Sequence, residues 1–247
     1  MSDSNVLDHI AFGVPAIADV VPLVVSELGG RELDAGPGKG FRWWQWRFAS
    51  GGSLEIIEPA GAPGGFLHRF LAARGPGPHH VTFKVADIQV AIDQAKTLGY
   101  DVVGFDDRDP WIEAFLHPKQ AQGIVVQLTE ARAGAGGGAP RAPSPFPALP
   151  ATRPAAACLV GVRLAVTSLE RARTQWETLL RGTPTPAGDG VVYRWPDSPL
   201  RIAVFPDASR AEGPVALEFS AERALALPEG PHPVLGLPLV QIEQSEA

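Results

Sequence analysis

The feature that most constrains the fold of this chain is an internal repeat. Residues 8–14, Asp-His-Ile-Ala-Phe-Gly-Val, return 71 positions later as residues 79–85, His-His-Val-Thr-Phe-Lys-Val. Residues 53–58, Ser-Leu-Glu-Ile-Ile-Glu, are echoed by residues 125–130, Val-Val-Gln-Leu-Thr-Glu. A repeat of this length indicates that one supersecondary unit occurs twice and that the two copies share a core.

Each copy predicts a strand, a helix and then further strands. Pro22 lies inside the first helical segment and is expected to kink that helix or to delay its start. The fold class that follows is α+β, with tandem βαβββ modules forming cupped mixed sheets and helices on the outer face. The first copy predicts strands at 7–14, 41–48 and 53–58 and a helix at 16–28, with one strand unassigned; the second predicts strands at 79–85, 101–105, 112–116 and 123–129 and a helix at 87–98.

A composition shift predicts two domains. Residues 131–157 are Ala, Gly or Pro at 20 of 27 positions, a composition that indicates a linker. It separates a domain at 1–130 from a second domain at 158–247, which predicts strands at 158–166, 191–195, 200–205, 213–219 and 239–242 and a helix at 169–180. We interpret the second domain as a third module and an eroded fourth. In this domain Gly161 and Ala216 occupy the positions that correspond to His9 and His80, two potential metal ligands of the first domain. We therefore expect no metal ion in the second domain.

Charge and composition favour a small molecule as the partner. The formal net charge is −6, with no basic run, which argues against binding to nucleic acid or to an anionic membrane. No apolar stretch reaches the length needed to cross a bilayer. One cysteine, Cys158, excludes an internal disulfide framework, and we expect a cytoplasmic monomer or homodimer.

Four potential metal ligands occupy matching positions in the two copies. His9 and Glu55 are 46 positions apart, and His80 and Gln127 are 47 positions apart. Side chains alternate across a strand, so Ile10 and Phe12 would pack against the helix while His9 points to the opposite face. The same parity argument places all four ligand candidates on the sheet face away from the helices. We predict one divalent metal ion there, which could be Zn, Ni, Co, Mn or Fe.

These residues resemble the vicinal oxygen chelate superfamily, which includes glyoxalases, bleomycin-resistance proteins and extradiol dioxygenases. The resemblance covers residues 6–130 and is nearest to epimerase-like members in the segments 7–11, 75–81, 115–119 and 123–128. It implies paired βαβββ modules and the metal ligands His9, Glu55, His80 and Gln127. Relative to the epimerase pattern, the carboxylate and the amide have exchanged places between positions 55 and 127. The glutamate base that the pattern has in residues 40–47 is absent.

The resemblance implies a metal-dependent isomerase or lyase acting on a small oxygenated or acyl-thioester substrate. The ion would hold two adjacent substrate oxygens, and Glu55, the carboxylate of the set, would carry catalytic proton transfer. Trp44 and Trp46 share a strand face and are expected to line the substrate pocket, with packing in the core as the alternative. Two alternatives remain open. One is an Fe(II) ring-cleaving dioxygenase built on His9, His80 and Glu55. The other is a non-enzymatic protein that sequesters a small molecule.

Overall fold

The computed structural model describes residues 5–108, 111–132 and 148–243. It confirms the predicted α+β fold class. The strands are β1 (Val6–Gly13), β2 (Arg31–Gly38), β3 (Phe41–Arg47), β4 (Ser53–Pro59), β5 (Gly77–Lys84), β6 (Val102–Arg108), β7 (Trp111–Leu116), β8 (Val125–Ala131), β9 (Cys158–Val166), β10 (Thr183–Ala187), β11 (Gly190–Arg194), β12 (Arg201–Pro206), β13 (Gly213–Ser220) and β14 (Leu239–Gln241).

The helical segments are short and partly non-α. Helix α1 (Phe66–Arg74) and helix α2 (Ile88–Thr97) are regular, whereas a 3₁₀ turn at Ile17–Val20 leads into a π-helical segment at Pro22–Glu27. The second segment begins at Pro22, as expected for a residue that has no backbone N–H to donate. Helix α3 (Leu169–Ala172) continues as a π-helical segment at Arg173–Leu179. Within the described ranges, none of these helices has the length and apolar character that crossing a membrane requires.

The strand order reproduces the repeat seen in the sequence. The described strands of the N-terminal half form one sheet in the order β2-β3-β4-β1-β5-β8-β7-β6, so the two modules meet at β1 and β5. In the second module β8 returns parallel to β5, and β7 and β6 follow antiparallel. The later strands form a second sheet in the order β10-β11-β12-β9-β13-β14. Residues 221–238, all described, contain no helix, and the interpretation of this part as an eroded fourth module stays a prediction.

Two strands and one helix were not predicted, and the strands share a physical reason. Strand β2 contains Pro37 and two glycines, and β10 contains Pro184 and Pro186. Each lies at the edge of its sheet, where a residue without an N–H is tolerated because one side of the strand has no neighbour. Neither β2 nor β10 has the alternation of apolar and polar residues that identifies a half-buried strand. Helix α1 lies between glycine-rich segments in the connection between the two modules and was also missed.

A glutamate at the end of each module, buried in the first and half-buried in the second, stabilises the start of a helix. The backbone N–H of Ile17 donates to Oε2 of Glu58 at 2.6 Å, and that of Ile88 donates to Oε2 of Glu130 at 2.9 Å. These are the two glutamates that close the second echo in the sequence. A carboxylate placed at the first N–H groups of a helix satisfies orphan donors and interacts favourably with the helix dipole. Glu58 and Glu130, the last residues of the second repeated segment, therefore have a structural role.

Contacts between Cα atoms divide the chain into two compact units. The first comprises Met1–His9, His80–Gly138 and Gly161–Val215. Its core includes the Phe83 ring, which packs edge-on against Trp195 at 4.9 Å between ring centroids. Trp176 lies 6.3 Å from the same ring and donates its indole N–H to Gln122 Oε1 at 2.9 Å. Both tryptophans are completely buried.

The second unit comprises Ile10–His79, Ala139–Val160 and Ala216–Ala247. Phe48 packs against Phe219 at 5.8 Å between centroids, and Arg153 donates to Glu32 Oε2 at 2.9 Å. Arg153 belongs to the segment predicted as a linker, whose residues 133–147 lie outside the described residues. The domain boundaries at 130 and 158 stay a prediction.

His79, the neighbour of the predicted ligand His80, packs into an aromatic environment within the second unit. Its ring contacts Phe66 and Phe70 of α1 at centroid distances of 5.5 and 5.0 Å. Burial lowers the pKa of His79 from its usual 6.5 to about 4, and the charge of Arg74 acts in the same direction. His79 is therefore neutral in the folded protein at neutral pH.

This depressed pKa gives a testable pH dependence of stability. Because the unfolded chain binds a proton at His79 below about pH 6.5 and the folded chain does not until about pH 4, stability falls as pH falls through this window. The contribution is up to about 3 kcal/mol. We expect His79→Leu to flatten the dependence of the free energy of unfolding on pH between 6.5 and 4, measured by urea denaturation. An unchanged slope in this variant would contradict the assignment.

Candidate metal site

The two predicted histidines lie side by side on the central strands. His9 on β1 and His80 on β5 have ring centroids 5.8 Å apart, in an edge-to-face arrangement. Each is only 6% exposed. They occupy equivalent positions of the repeated strand, so the pairing of β1 with β5 brings them together, as the repeat predicts.

Glu55 completes a cluster that could hold a metal ion. One ligand atom from each of His9, Glu55 and His80 lies within 4.8 Å of the other two, and all three residues are buried. Two imidazoles and one carboxylate are a donor set that suits a divalent transition metal.

Asp8 holds the His9 ring in a defined orientation. His9 Nδ1 lies 2.8 Å from Asp8 Oδ2, and Lys84 Nζ lies 2.5 Å from Asp8 Oδ1. Burial alone would raise the pKa of Asp8, but the hydrogen bond to His9 and the charges of His9 and Lys84 outweigh it and hold that pKa well below its usual range. Asp8 is therefore an anion that accepts the Nδ1 proton. Nε2 is then the ring nitrogen that could bind a metal ion, an arrangement common in metal sites.

Gln127 is connected to His9 through Thr82. Thr82 and Gln127 are register partners on the parallel strands β5 and β8. The Thr82 hydroxyl donates to Gln127 Oε1 at 2.6 Å and lies 2.9 Å from His9 Nε2. Gln127 Nε2 donates to Glu113 Oε2 at 2.7 Å. Gln127 thus lies on the predicted face, and its role as a ligand stays a prediction.

Two residues that the sequence analysis did not identify, Gln45 and Glu113, form hydrogen bonds with the predicted ligands Glu55 and Gln127. Gln45 on β3 is the register partner of Glu55 and donates to Glu55 Oε2 at 2.9 Å. Glu113 on β7 bonds to Gln127 in the second module. Strand parity within 41–47 and 111–116 could have placed both on this face, but their neighbours across the strands depend on hairpin lengths that the sequence does not fix.

Trp44 and Trp46 lie on the other face of their strand. They pair with Ile56 and Leu54, stack on each other at 4.7 Å between centroids, and are 5% and 0% exposed. Trp43 is half-buried and shares the face of Glu55. A role for Trp44 and Trp46 in the substrate pocket stays a prediction that this burial does not support.

Comparison with known proteins identifies the family. Residues 8–115 match the profile of the glyoxalase/bleomycin resistance protein/dioxygenase superfamily. The chain is 30% identical over 133 residues to the uncharacterised protein YqjC of Bacillus subtilis, covering 51% of this chain and 92% of that protein. The chain belongs to this superfamily, as the resemblance implied.

Epimerases are among its relatives. The chain is 35% identical over 86 residues to the ethylmalonyl-CoA/methylmalonyl-CoA epimerase of Cereibacter sphaeroides. That match spans 31% of this chain and 60% of the epimerase. Among solved structures, the methylmalonyl-CoA epimerase of Mycobacterium tuberculosis has a TM-score of 0.48 at 20% identity and covers 53% of this chain and 91% of its own.

Proposed function

We propose that this protein is a metal-dependent isomerase of the glyoxalase/epimerase type, acting on a small acyl-thioester. The observation that carries the proposal is the buried group of His9, Glu55 and His80, in a chain with an acyl-CoA epimerase among its relatives. We assign Gln127 as the fourth ligand. A divalent ion bound by this set would stabilise the negative charge that develops on the substrate oxygens when a proton leaves the adjacent carbon.

The chain's own residues supply orientation and proton transfer in this proposal. Asp8 fixes His9, and the Thr82 hydroxyl lies between His9 and Gln127. Glu55 accepts a hydrogen bond from Gln45, which holds one carboxylate oxygen. The other oxygen can bind the ion or accept a proton from the substrate. Glu55 is therefore the proposed acceptor of the substrate proton.

Exchange of the substrate α-proton with solvent tests this function. Protein loaded with Co²⁺ or Mn²⁺ is incubated with methylmalonyl-CoA or ethylmalonyl-CoA in D₂O, and deuterium incorporation is followed by NMR or mass spectrometry. We expect exchange well above the protein-free rate, and loss of that exchange after Glu55→Gln. A metal-loaded protein that does not accelerate exchange for either thioester would contradict the proposed activity.

The composition of the cluster also favours a second candidate, ring cleavage by Fe(II). Two histidines and one carboxylate are the ligands of non-haem Fe(II) oxygenases. Oxygen uptake with catechols after anaerobic loading with Fe(II) distinguishes this reaction from isomerisation. A cytoplasmic location stays a prediction.

A further inference from the structure

The two ends of the ligand set are built as opposite amide–carboxylate pairs. In the first module the predicted ligand is the carboxylate of Glu55, and its partner is the amide of Gln45. In the second module the predicted ligand is the amide of Gln127, and its partner is the carboxylate of Glu113. In both pairs the amide nitrogen donates and the carboxylate oxygen accepts, so ligand and partner have exchanged chemical roles between the modules.

This exchange matters because an amide can face a metal in two ways. The oxygen of a glutamine side chain can bind a cation, whereas its NH₂ group has only protons to offer. A terminal rotation interchanges them, so something must decide which end faces the ion. The ionised carboxylate of Glu113 can only accept hydrogen bonds, and it accepts one from Gln127 Nε2 at 2.7 Å.

The oxygen of the Gln127 amide has a hydrogen-bond donor that fits this orientation. With Nε2 held by Glu113, Gln127 Oε1 accepts from the Thr82 hydroxyl at 2.6 Å. That hydroxyl is 2.9 Å from His9 Nε2, the atom that Asp8 leaves for the ion. The amide oxygen therefore points toward the histidine side of the face. All five of these residues belong to the first compact unit.

We propose that Glu113 is a positioning residue that selects the amide orientation of Gln127 and so makes this glutamine a metal ligand. The inference rests on the proposed metal site but not on the proposed reaction. Glu113 is half-buried on β7 and takes no part in the predicted ligand set. Its role depends on the residue that it faces: an amide at position 127 needs an acceptor-only partner, whereas a carboxylate there needs a donor.

The test is a double-mutant comparison of Co²⁺ affinity. Binding of Co²⁺ alone is measured by calorimetry and by the visible d–d absorption for the full chain, Glu113→Gln, Gln127→Glu and the double variant. In the wild-type background Glu113→Gln should weaken binding by roughly tenfold, the size typical of partners that orient a ligand. In the Gln127→Glu background the same change should leave binding unchanged or strengthen it, because the new glutamine can donate to the new carboxylate and two facing carboxylates are avoided.

A simple charge effect is distinguishable from positioning. If Glu113 only contributed negative charge near the cation, Glu113→Gln would weaken binding equally in both backgrounds, and that outcome overturns the proposal. Glu222→Gln removes a carboxylate at an exposed position and serves as the matched control, expected to leave affinity unchanged. Circular dichroism and thermal unfolding verify that each variant is folded. Failure of the wild type to bind Co²⁺ would overturn the metal site and this role together, whereas absence of isomerase activity would leave the comparison valid.

Discussion

Replacing both His9 and His80 with alanine is expected to abolish stoichiometric binding of a divalent ion. The two rings are buried and 5.8 Å apart, and together they supply two of the three ligand atoms that the cluster brings within 4.8 Å. A carboxylate alone binds transition metals weakly compared with a set that includes imidazoles. We expect the affinity for Zn²⁺ or Co²⁺ to fall by more than about a hundredfold, measured by competition with a chelator.

The matched control replaces two histidines outside the cluster. The double variant His68→Ala and His117→Ala loses the same number of imidazoles and should retain about one ion per chain. Unfolding by urea shows whether the His9/His80 variant remains folded, since truncating buried side chains costs stability by itself. Equal metal content in the wild type and the folded His9/His80 variant would show that the site has been assigned to the wrong residues.

Glu55→Gln is expected to lower metal affinity and exchange activity together. The substitution leaves two imidazoles and two amides, a set with no anionic ligand and, with the imidazole nitrogens bound to the ion, no group left to accept a proton. The hydrogen bond from Gln45 can persist, because the new side chain still offers an oxygen. Loss of the metal and of the proton acceptor at once should reduce α-proton exchange by at least about a hundredfold, the lower end of what general-base catalysis contributes.

Glu58→Gln provides a control on the same strand. Glu58 is also buried, but it points to the other face, where it accepts from the N–H of Ile17 and pairs with Arg42. This change removes the charge that pairs with Arg42 and strengthens the bond from Ile17, so it should lower the free energy of unfolding by about 1 kcal/mol and leave metal affinity unchanged. A fully active Glu55→Gln protein would remove Glu55 from the reaction and indicate sequestration or a base outside the four.

The sequence predicts most of the fold because the central strands are apolar runs that are buried over most of their length. Strand β9 has the predicted bounds, and the positions of β1, β5 and β8 differ from prediction by a few residues. The edge strands β2 and β10 were missed because their positions are set by a neighbour rather than by burial. Helix α1 has one fully buried residue, Leu67, and so no strong apolar stripe.

The candidate site likewise contains residues that the sequence predicts and residues that only the structure shows. Repeat register and strand parity are local properties, and they suffice to predict that His9, Glu55 and His80 come together. The partners Gln45 and Glu113 are set by cross-strand register. Gln45 meets Glu55 through the β3–β4 register, and Glu113 meets Gln127 across β7 and β8. Both registers depend on the lengths of the connecting hairpins, which the sequence does not fix, so these two partners had to come from the structure.

Anomalous diffraction at the cobalt edge, from crystals of the Co²⁺-loaded protein, would locate the bound ion. We expect one strong anomalous peak per chain, about 2.0–2.2 Å from ligand atoms of His9, Glu55 and His80 and from Gln127 Oε1. The Gln127 amide nitrogen should remain bonded to Glu113. A peak bound by other residues, or no peak at these four side chains in protein that has taken up cobalt, would contradict the account.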